Sequence, residues 1–194
     1  MPRKGLNKEA VIDEAIELIR DKGNQAFSIN ELARRLDIKP ASLYNHIQNI
    51  DDLTDEIGSR IAGMLRNVEA DAINGKKRDE ALLALCNAYR LFALKNAELY
   101  KVNMGRQLVG HDFEKAKKGE IVDPMMKTLS EYNIDDNQKM HWHRILRAML
   151  HGYVSQEFAG RFHGFPVENE QTFQKAIHTV ILGITNDEKR IDNE

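Results

Sequence analysis

The sequence predicts an all-α protein. Three observations carry that expectation: apolar residues recur with a 3.6-residue period along most of the chain, alternating β-branched runs are few, and 194 residues contain only four prolines. A hydrophobic content of 42% suffices for a packed core. The net charge of -2 provides no global basic field. Charge is nevertheless uneven, with eight Lys/Arg against seven Asp/Glu in residues 1–48 and twenty against twenty-three in the remainder. The single cysteine, Cys86, cannot form an internal disulfide and fits a reducing compartment. Pro2-Arg3-Lys4-Gly5 leads into an amphipathic stretch rather than an apolar one, and no run reaches the length of a membrane span. A cytoplasmic protein without a membrane partner is expected.

Each helix follows from local signals. Asn7 is placed to cap a first helix to about Lys22, with Val11, Ile12, Ala15, Ile16, Leu18 and Ile19 inward and Gly23 as the stop. Ser28 and Glu31 form a capping box for a short second helix, with Phe27 and Leu32 as a hydrophobic staple. Pro40 suits the first turn of a third, where its missing N–H would be unpaired in any case. A long fourth helix is expected over about Asp51–Ile73. A fifth follows over about Arg78–Lys95, with Leu82, Leu85, Cys86, Tyr89 and Phe92 on one face. After a short segment near 96–103, a helix beginning beyond Gly110 should bend near Asp123-Pro124 and reach about Tyr132. Two long helices close the chain, at about Asp136–Ala159 and Glu168–Ile184. The boundary between a small N-terminal domain, residues 1–50, and a larger bundle, residues 51–194, is expected where the fourth helix begins.

Ser28–Ile47 holds two short helices joined by Asp37-Ile38-Lys39, the spacing of a helix-turn-helix. Leu32, Ala33, Leu36, Ile38, Leu43 and Ile47 are the inward set. Pro40, Ala41, Ser42, Tyr44, Asn45 and His46 are left on the exposed side of the second helix. Asn can read adenine bidentately, and Ser and Tyr hydroxyls reach phosphates or base edges. An ordinary packed helical hairpin would have the same spacing.

The stretch FSINELARRLDIKPASLYNHIQNIDDL, with its leading helix and Gly23, resembles the DNA-binding domain of TetR-family (tetracycline-repressor-type) transcriptional regulators over roughly residues 7–60. The resemblance implies that Tyr44 contacts the phosphate backbone and that Asn30, Pro40, Ala41, Ser42 and Asn45 approach bases. His46 would contact phosphate or support the helix, and Ser28 belongs to the same DNA-facing set. Three positions depart from the family pattern. Asp37 replaces the turn glycine, and Lys39 replaces a hydroxyl cap and can instead pair with a phosphate. Ile50 stands where a lysine often opens the fourth helix, which weakens the electrostatic share of binding. Arg3, Lys4, Lys8 and Arg34 are the other candidate phosphate partners.

The segment HWHRILRAMLHGYVSQEFAGRF, with Trp142, His151 and Gly152, resembles the sensor-domain subgroup named for a Trp-His-Gly signature. The resemblance implies a helical regulatory domain that dimerises through its last two helices, and it names no ligand. Ala148, Gly152, Ser155 and Ala159 form a small-residue seam along one helical edge. Glycine inside a helix costs about 1 kcal/mol relative to alanine, so close approach by another helix is a natural reason for it. Phe173, Ile177, Val180, Ile181 and Ile184 repeat the helical period in the last helix and complete the expected interface.

Met64, Phe92, Tyr100, Met104, Met126, Trp142 and Met149 are candidate effector contacts, because methionines and aromatics adapt to ligands. His143 and His151 lie two turns apart with Arg147 between them, which is poor zinc spacing, and a buried, hydrogen-bonded His151 is expected. No glycine-rich phosphate loop, activated-cysteine context or paired acidic motif points to an enzyme, and no cofactor or metal is expected. The expected function is a sequence-specific transcriptional regulator, a homodimeric repressor of a palindromic operator released by a small molecule. The competing expectation is a ligand-binding or interaction protein of the same fold that has lost DNA binding.

Overall fold

The computed structural model describes residues 6–104 and 122–191. All regular structure among them is helical: α1 Lys8–Lys22, α2 Ile29–Arg35, α3 Pro40–Leu43, α4 Ile50–Ala72, α5 Arg78–Lys95, α6 Ala97–Met104, α7 Pro124–Leu129, α8 Asp136–Phe158 and α9 Asn169–Ile191. A 3-10 turn at Asn24–Ala26 links α1 to α2. The helix expected beyond Gly110 falls outside the described residues up to Val122; its last part is α7. The final helix runs one to two turns past the expected Ile184, because Thr185, Asp187 and Glu188 continue it as a polar extension.

The described residues form two compact units. The first holds residues through Met64 together with α6; the second holds the rest of α4, α5 and α7–α9. The division therefore falls inside α4, not at residue 50.

In the first unit Asn7 Oδ1 accepts from the Ala10 N–H at 2.9 Å and starts α1. Gly23 stops it at φ 84°, donating to the Ile19 carbonyl at 2.8 Å. The buried side chains of α1 are Val11, Ile12, Ala15, Ile16, Leu18 and Ile19. Leu53, Ile57 and Ile61 in the first part of α4 and Leu99 and Tyr100 of α6 are also buried and belong to this unit. Ion pairs of Lys8 with Glu56 (2.6 Å) and of Arg60 with Glu9 and Asp13 tie α4 to α1 along its exposed edge.

In the second unit α5 is central, packing against α7, α8 and α9. It carries a buried cation that the apolar pattern did not announce. Arg90 is held by Glu157 of α8 (2.7 Å) and by Glu170 of α9, and lies over the Phe173 ring at 4.9 Å. Between α8 and α9 the Trp142 indole packs against Gly183, where an added Cβ would come within 2.4 Å of the ring. The indole N–H donates to Asp187 at 3.0 Å.

Candidate nucleic-acid interface

The reader helix is positioned by two devices. Ser28 Oγ accepts from the Glu31 N–H at 3.2 Å, so α2 starts where the capping box places it. After α2 the chain reverses at Asp37, φ 56°, and the Ile38 N–H donates to the Ala33 carbonyl at 3.0 Å. Aspartate tolerates this left-handed conformation better than most residues, which is how the turn forms without the usual glycine. Pro40 then opens α3, and hydrogen bonds from Asn45, His46 and Ile47 carry its winding as turns to residue 47.

Leu43 and Ile47 are buried and lock α3 down, while Pro40, Ala41, Asn45 and Tyr44 (52% exposed) face outward. Ser42 and His46 are half-buried at the edge of that face. Asn30 and Ser28 are exposed beside it, although the Ser28 hydroxyl is already engaged as the α2 cap.

The candidate phosphate partners sort into two groups. Lys8 is bound to Glu56, and Arg34 makes a two-pronged contact with Glu31 at 2.6 and 2.9 Å that Lys22 also joins. The hydrogen bonds from Arg34 and Lys22 pull the Glu31 carboxyl down to about 2. Lys39 is exposed and pairs with no acidic group among the described residues. Arg3 and Lys4 lie outside the described residues. Ile50 opens α4 and is 38% exposed, so this position supplies apolar surface where a cation is common.

The sensor candidates divide between the two units. Met64 and Tyr100 belong to the first unit, and Phe92, Met126, Trp142 and Met149 to the second. The Met104 side chain lies outside the described residues. Phe92 and Tyr100 are buried; Met64, Met126, Trp142 and Met149 are half-buried. Trp142 is committed to Gly183 and Asp187, which makes it a packing residue.

His151 is exposed, contrary to expectation, and His143 is the buried one. The inward stripe of α8 runs His143, Leu146, Leu150 and Val154, which turns position 151 outward. His143 Nε2 lies 2.9 Å from Asp123 Oδ2, and the other carboxylate oxygen caps α7 by accepting from Met125 and Met126. Burial disfavours an ionised Asp123, but the His143 hydrogen bond and the attraction of His143 and Arg147 outweigh it and hold the carboxyl below its usual range.

Glu69, which the sequence reading passed over, is 6% exposed in the second unit. Its signal was present: Ile61, Leu65, Glu69 and Ile73 follow at steps of four, so a carboxylate occupies an apolar row. Burial, then the nearby Asp123 charge, push it up to about 8. Cys86 is pushed up to about 12, by burial first and by Glu69 second, so its thiol stays protonated and inert near neutral pH.

In the seam expected to dimerise Ala148 and Ala159 are exposed and Gly152 and Ser155 half-exposed; among the described residues a Cβ on Gly152 would meet nothing within 4 Å. Phe173, Ile177 and Ile184 are fully buried inside their own chain, and Val180 and Ile181 nearly so. They form the inner face of α9, and its outer face carries Lys175, Thr179, Leu182 and Asn186 instead. Among the described residues no group of three or more His, Cys, Asp or Glu side chains is placed to hold a metal ion, and no helix is long and apolar enough to cross a membrane.

A short helix pinned by two buried residues, with its small and amide-bearing face outward, defines a helix-turn-helix DNA-binding protein. Comparison with known proteins narrows the class. Residues 11–57 match the family described as bacterial regulatory proteins, tetR family, and residues 82–180 match the tetracyclin repressor-like C-terminal domain. The uncharacterised HTH-type transcriptional regulator YobS of Bacillus subtilis is 31% identical over 159 residues, covering 79% of this chain and 80% of its own. Among solved structures, apo ActR from Streptomyces coelicolor superposes with a TM-score of 0.74 at 18% identity, covering 96% of this chain and 98% of that one. ActR in complex with actinorhodin gives 0.71 at 17% identity, over 93% and 97% of the two chains. The chain belongs to the TetR family of DNA-binding transcriptional regulators. The family is one of regulators, not of enzymes.

Proposed function

We propose that this regulator is a ligand-responsive repressor that binds a roughly palindromic operator as a homodimer. The observation that carries the reading is the face of α3: Pro40, Ala41, Tyr44 and Asn45 are outward while Leu43 and Ile47 anchor the helix from beneath. Tyr44 and Lys39 take phosphates, Asn45 with Ser42 and Asn30 takes base edges, and the small side chains of Pro40 and Ala41 let the backbone approach the groove. Two such readers, one from each protomer, address half-sites about 34 Å apart.

The dimer forms through the free faces of α8 and α9. Ile145 (44% exposed), Ala148, Gly152, Ser155 and Ala159 follow at steps of three and four on one helix, and Leu182 (59% exposed) lies on the outer face of the next. An unpartnered apolar and small-residue stripe of this kind suits close packing against its own copy. A small molecule bound in the second unit changes the relation of the two readers and releases DNA. Support comes from the fold shared with ActR, whose structure is known with actinorhodin bound.

One observation favours a second reading, loss of DNA binding. Ile50 gives no cation, and Lys8 and Arg34 hold acidic partners. The same experiment separates the two: selection of genomic fragments by the purified protein, then gel shifts across a salt series. A repressor of this kind retains discrete sites and loses affinity steeply with salt. Retention of no site at low salt would leave only the second reading.

A further inference from the structure

The corner that joins α1 to α2 is held by a residue far along the chain. Gly23 ends α1 at φ 84°, Asn24–Ala26 form the 3-10 turn, and Ser28 then caps α2. Three residues separate Asn24 from Ser28, so the direction of this corner decides where α2 begins. Inside the corner the Ala26 N–H donates to the Gly23 carbonyl (3.2 Å) and the Phe27 N–H to the Asn24 carbonyl (3.1 Å). The Asn24 N–H finds its partner in α6: Glu98 Oε2 accepts it at 3.1 Å, across 74 residues of sequence.

α6 brings Glu98 there by burying the two residues that follow it, Leu99 and Tyr100, and by packing against α1 and the 3-10 turn. The carboxylate is divided between two donors. Its Oε1 accepts from Lys101 at 2.6 Å, which orients the group and leaves Oε2 for the corner. Gly23 completes the fit, because a Cβ there would lie 3.0 Å from Glu98 Oε2. The bonds from Lys101 and Asn24 hold the Glu98 carboxyl below its usual range. It is therefore a charged acceptor, which makes the stronger hydrogen bond. All these residues belong to the first unit, with α2 and α3.

Resting on the operator-binding reading above, we propose that Glu98 is a positioning residue for DNA recognition: by accepting from the Asn24 N–H it sets the angle at which α2, and α3 packed on it, leave α1. Glu98 touches no DNA in this role. Contacts to base edges need hydrogen-bond geometry, whereas attraction to phosphates tolerates displacement. A loosened corner thus costs specific binding and spares sequence-independent binding. Charge alone predicts the opposite sign. Deleting a carboxylate from a DNA-binding unit strengthens its attraction to phosphates, so a loss of operator affinity on its removal is not electrostatic.

The test uses full-length Glu98→Ala, Glu98→Gln and Lys101→Met. Each is titrated in gel shifts against a genomic fragment retained by the wild type and a scrambled duplex of equal length, and melted by circular dichroism. Glu98→Ala should lower operator affinity about tenfold or more, as loss of a charge-assisted bond implies. Its affinity for the scrambled duplex should hold or rise, and its melting temperature should stay near wild type, because alanine suits a helix and the bond is exposed. Glutamine keeps an oxygen that accepts from Asn24, so Glu98→Gln should recover most of the operator affinity. Lys101→Met leaves the Asn24 bond in place and should also stay near wild type. Unchanged operator affinity in Glu98→Ala would overturn the proposal. A parallel loss on both duplexes with a lowered melting temperature would do the same, since it marks a merely structural role. So would a Glu98→Gln as weak as Glu98→Ala. A wild-type protein that selects no genomic site sinks the repressor reading and this proposal together, whereas a site bound equally by wild type and Glu98→Ala sinks this proposal alone.

Discussion

At the scale of single residues, chemistry is set by what each side chain can reach. Tyr44 and Asn45 are adjacent on the outward face of α3 but should behave differently. A phosphate contact carries no sequence information, so Tyr44→Phe should weaken binding to all DNA by a similar factor. Asn45→Ala should relax preference at one position per half-site, by roughly 1–3 kcal/mol for a bidentate base contact. Binding-site selection on both variants reads the difference, and unchanged operator affinity in both would remove α3 as the reader.

Glu69 offers a residue-scale prediction of another kind. Its folded pKa is raised to about 8 from an ordinary 4.5. Below the lower value the carboxyl is protonated in both states. Between the two values the unfolded chain ionises while folded Glu69 keeps its proton, so stability falls as pH rises. The loss amounts to on the order of 5 kcal/mol across that window. Glu69→Gln cannot ionise, so its stability relative to wild type should grow with pH over the same range. Urea melts at several pH values measure this, and parallel curves for the two proteins would contradict it.

At the scale of elements, the join between α8 and α9 depends on one glycine. Trp142 lies on Gly183 and is fixed there by its bond to Asp187. Gly183→Ala places a methyl carbon 2.4 Å from the ring, so the indole must move and strain that bond. Overpacking of this sort costs about 1–3 kcal/mol. The same change should alter the emission of the single tryptophan, and a variant with wild-type emission and stability would show that the indole has room to yield. Elements also explain which readings held. The periodicity of α1 and α5 named residues that are buried, because in each a row at helical spacing turns inward. Periodicity does not tell an intrachain core from an interface between chains, so it placed Phe173 and Ile177 in an interface when they are buried within their own chain.

At the scale of the whole molecule, Gly152→Leu tests the dimer. Among the described residues nothing lies within 4 Å of the position a Cβ would take. Leucine is also the better helix former by nearly 1 kcal/mol, so the fold of the protomer should survive. Any clash must come from a second copy, and a self-complementary interface meets it twice. Light scattering should show a smaller particle with unchanged circular dichroism, and operator affinity should fall far more than protomer stability. A Gly152→Leu protein that remains dimeric and binds operator normally would place the seam outside the interface.

What the sequence by itself determined is local. The caps at Asn7 and Ser28, the proline opening α3 and the run from Ser28 to Ile47 act over a few residues, and they led to the helix-turn-helix and its outward face. Even the substitution of Asp37 for glycine was readable, because left-handed tolerance is a property of one residue. Tertiary structure decided everything that needs two distant segments to meet. Whether His143 or His151 lies inside depends on the neighbours of α8. Arg90 is buried because Glu157 and Glu170, far along the chain, close on it. Glu69 follows the same logic: a four-residue step put it in an apolar row, but only the assembled unit withdrew it from solvent. Local signals are written in neighbouring residues, whereas burial and pairing are properties of the packed chain.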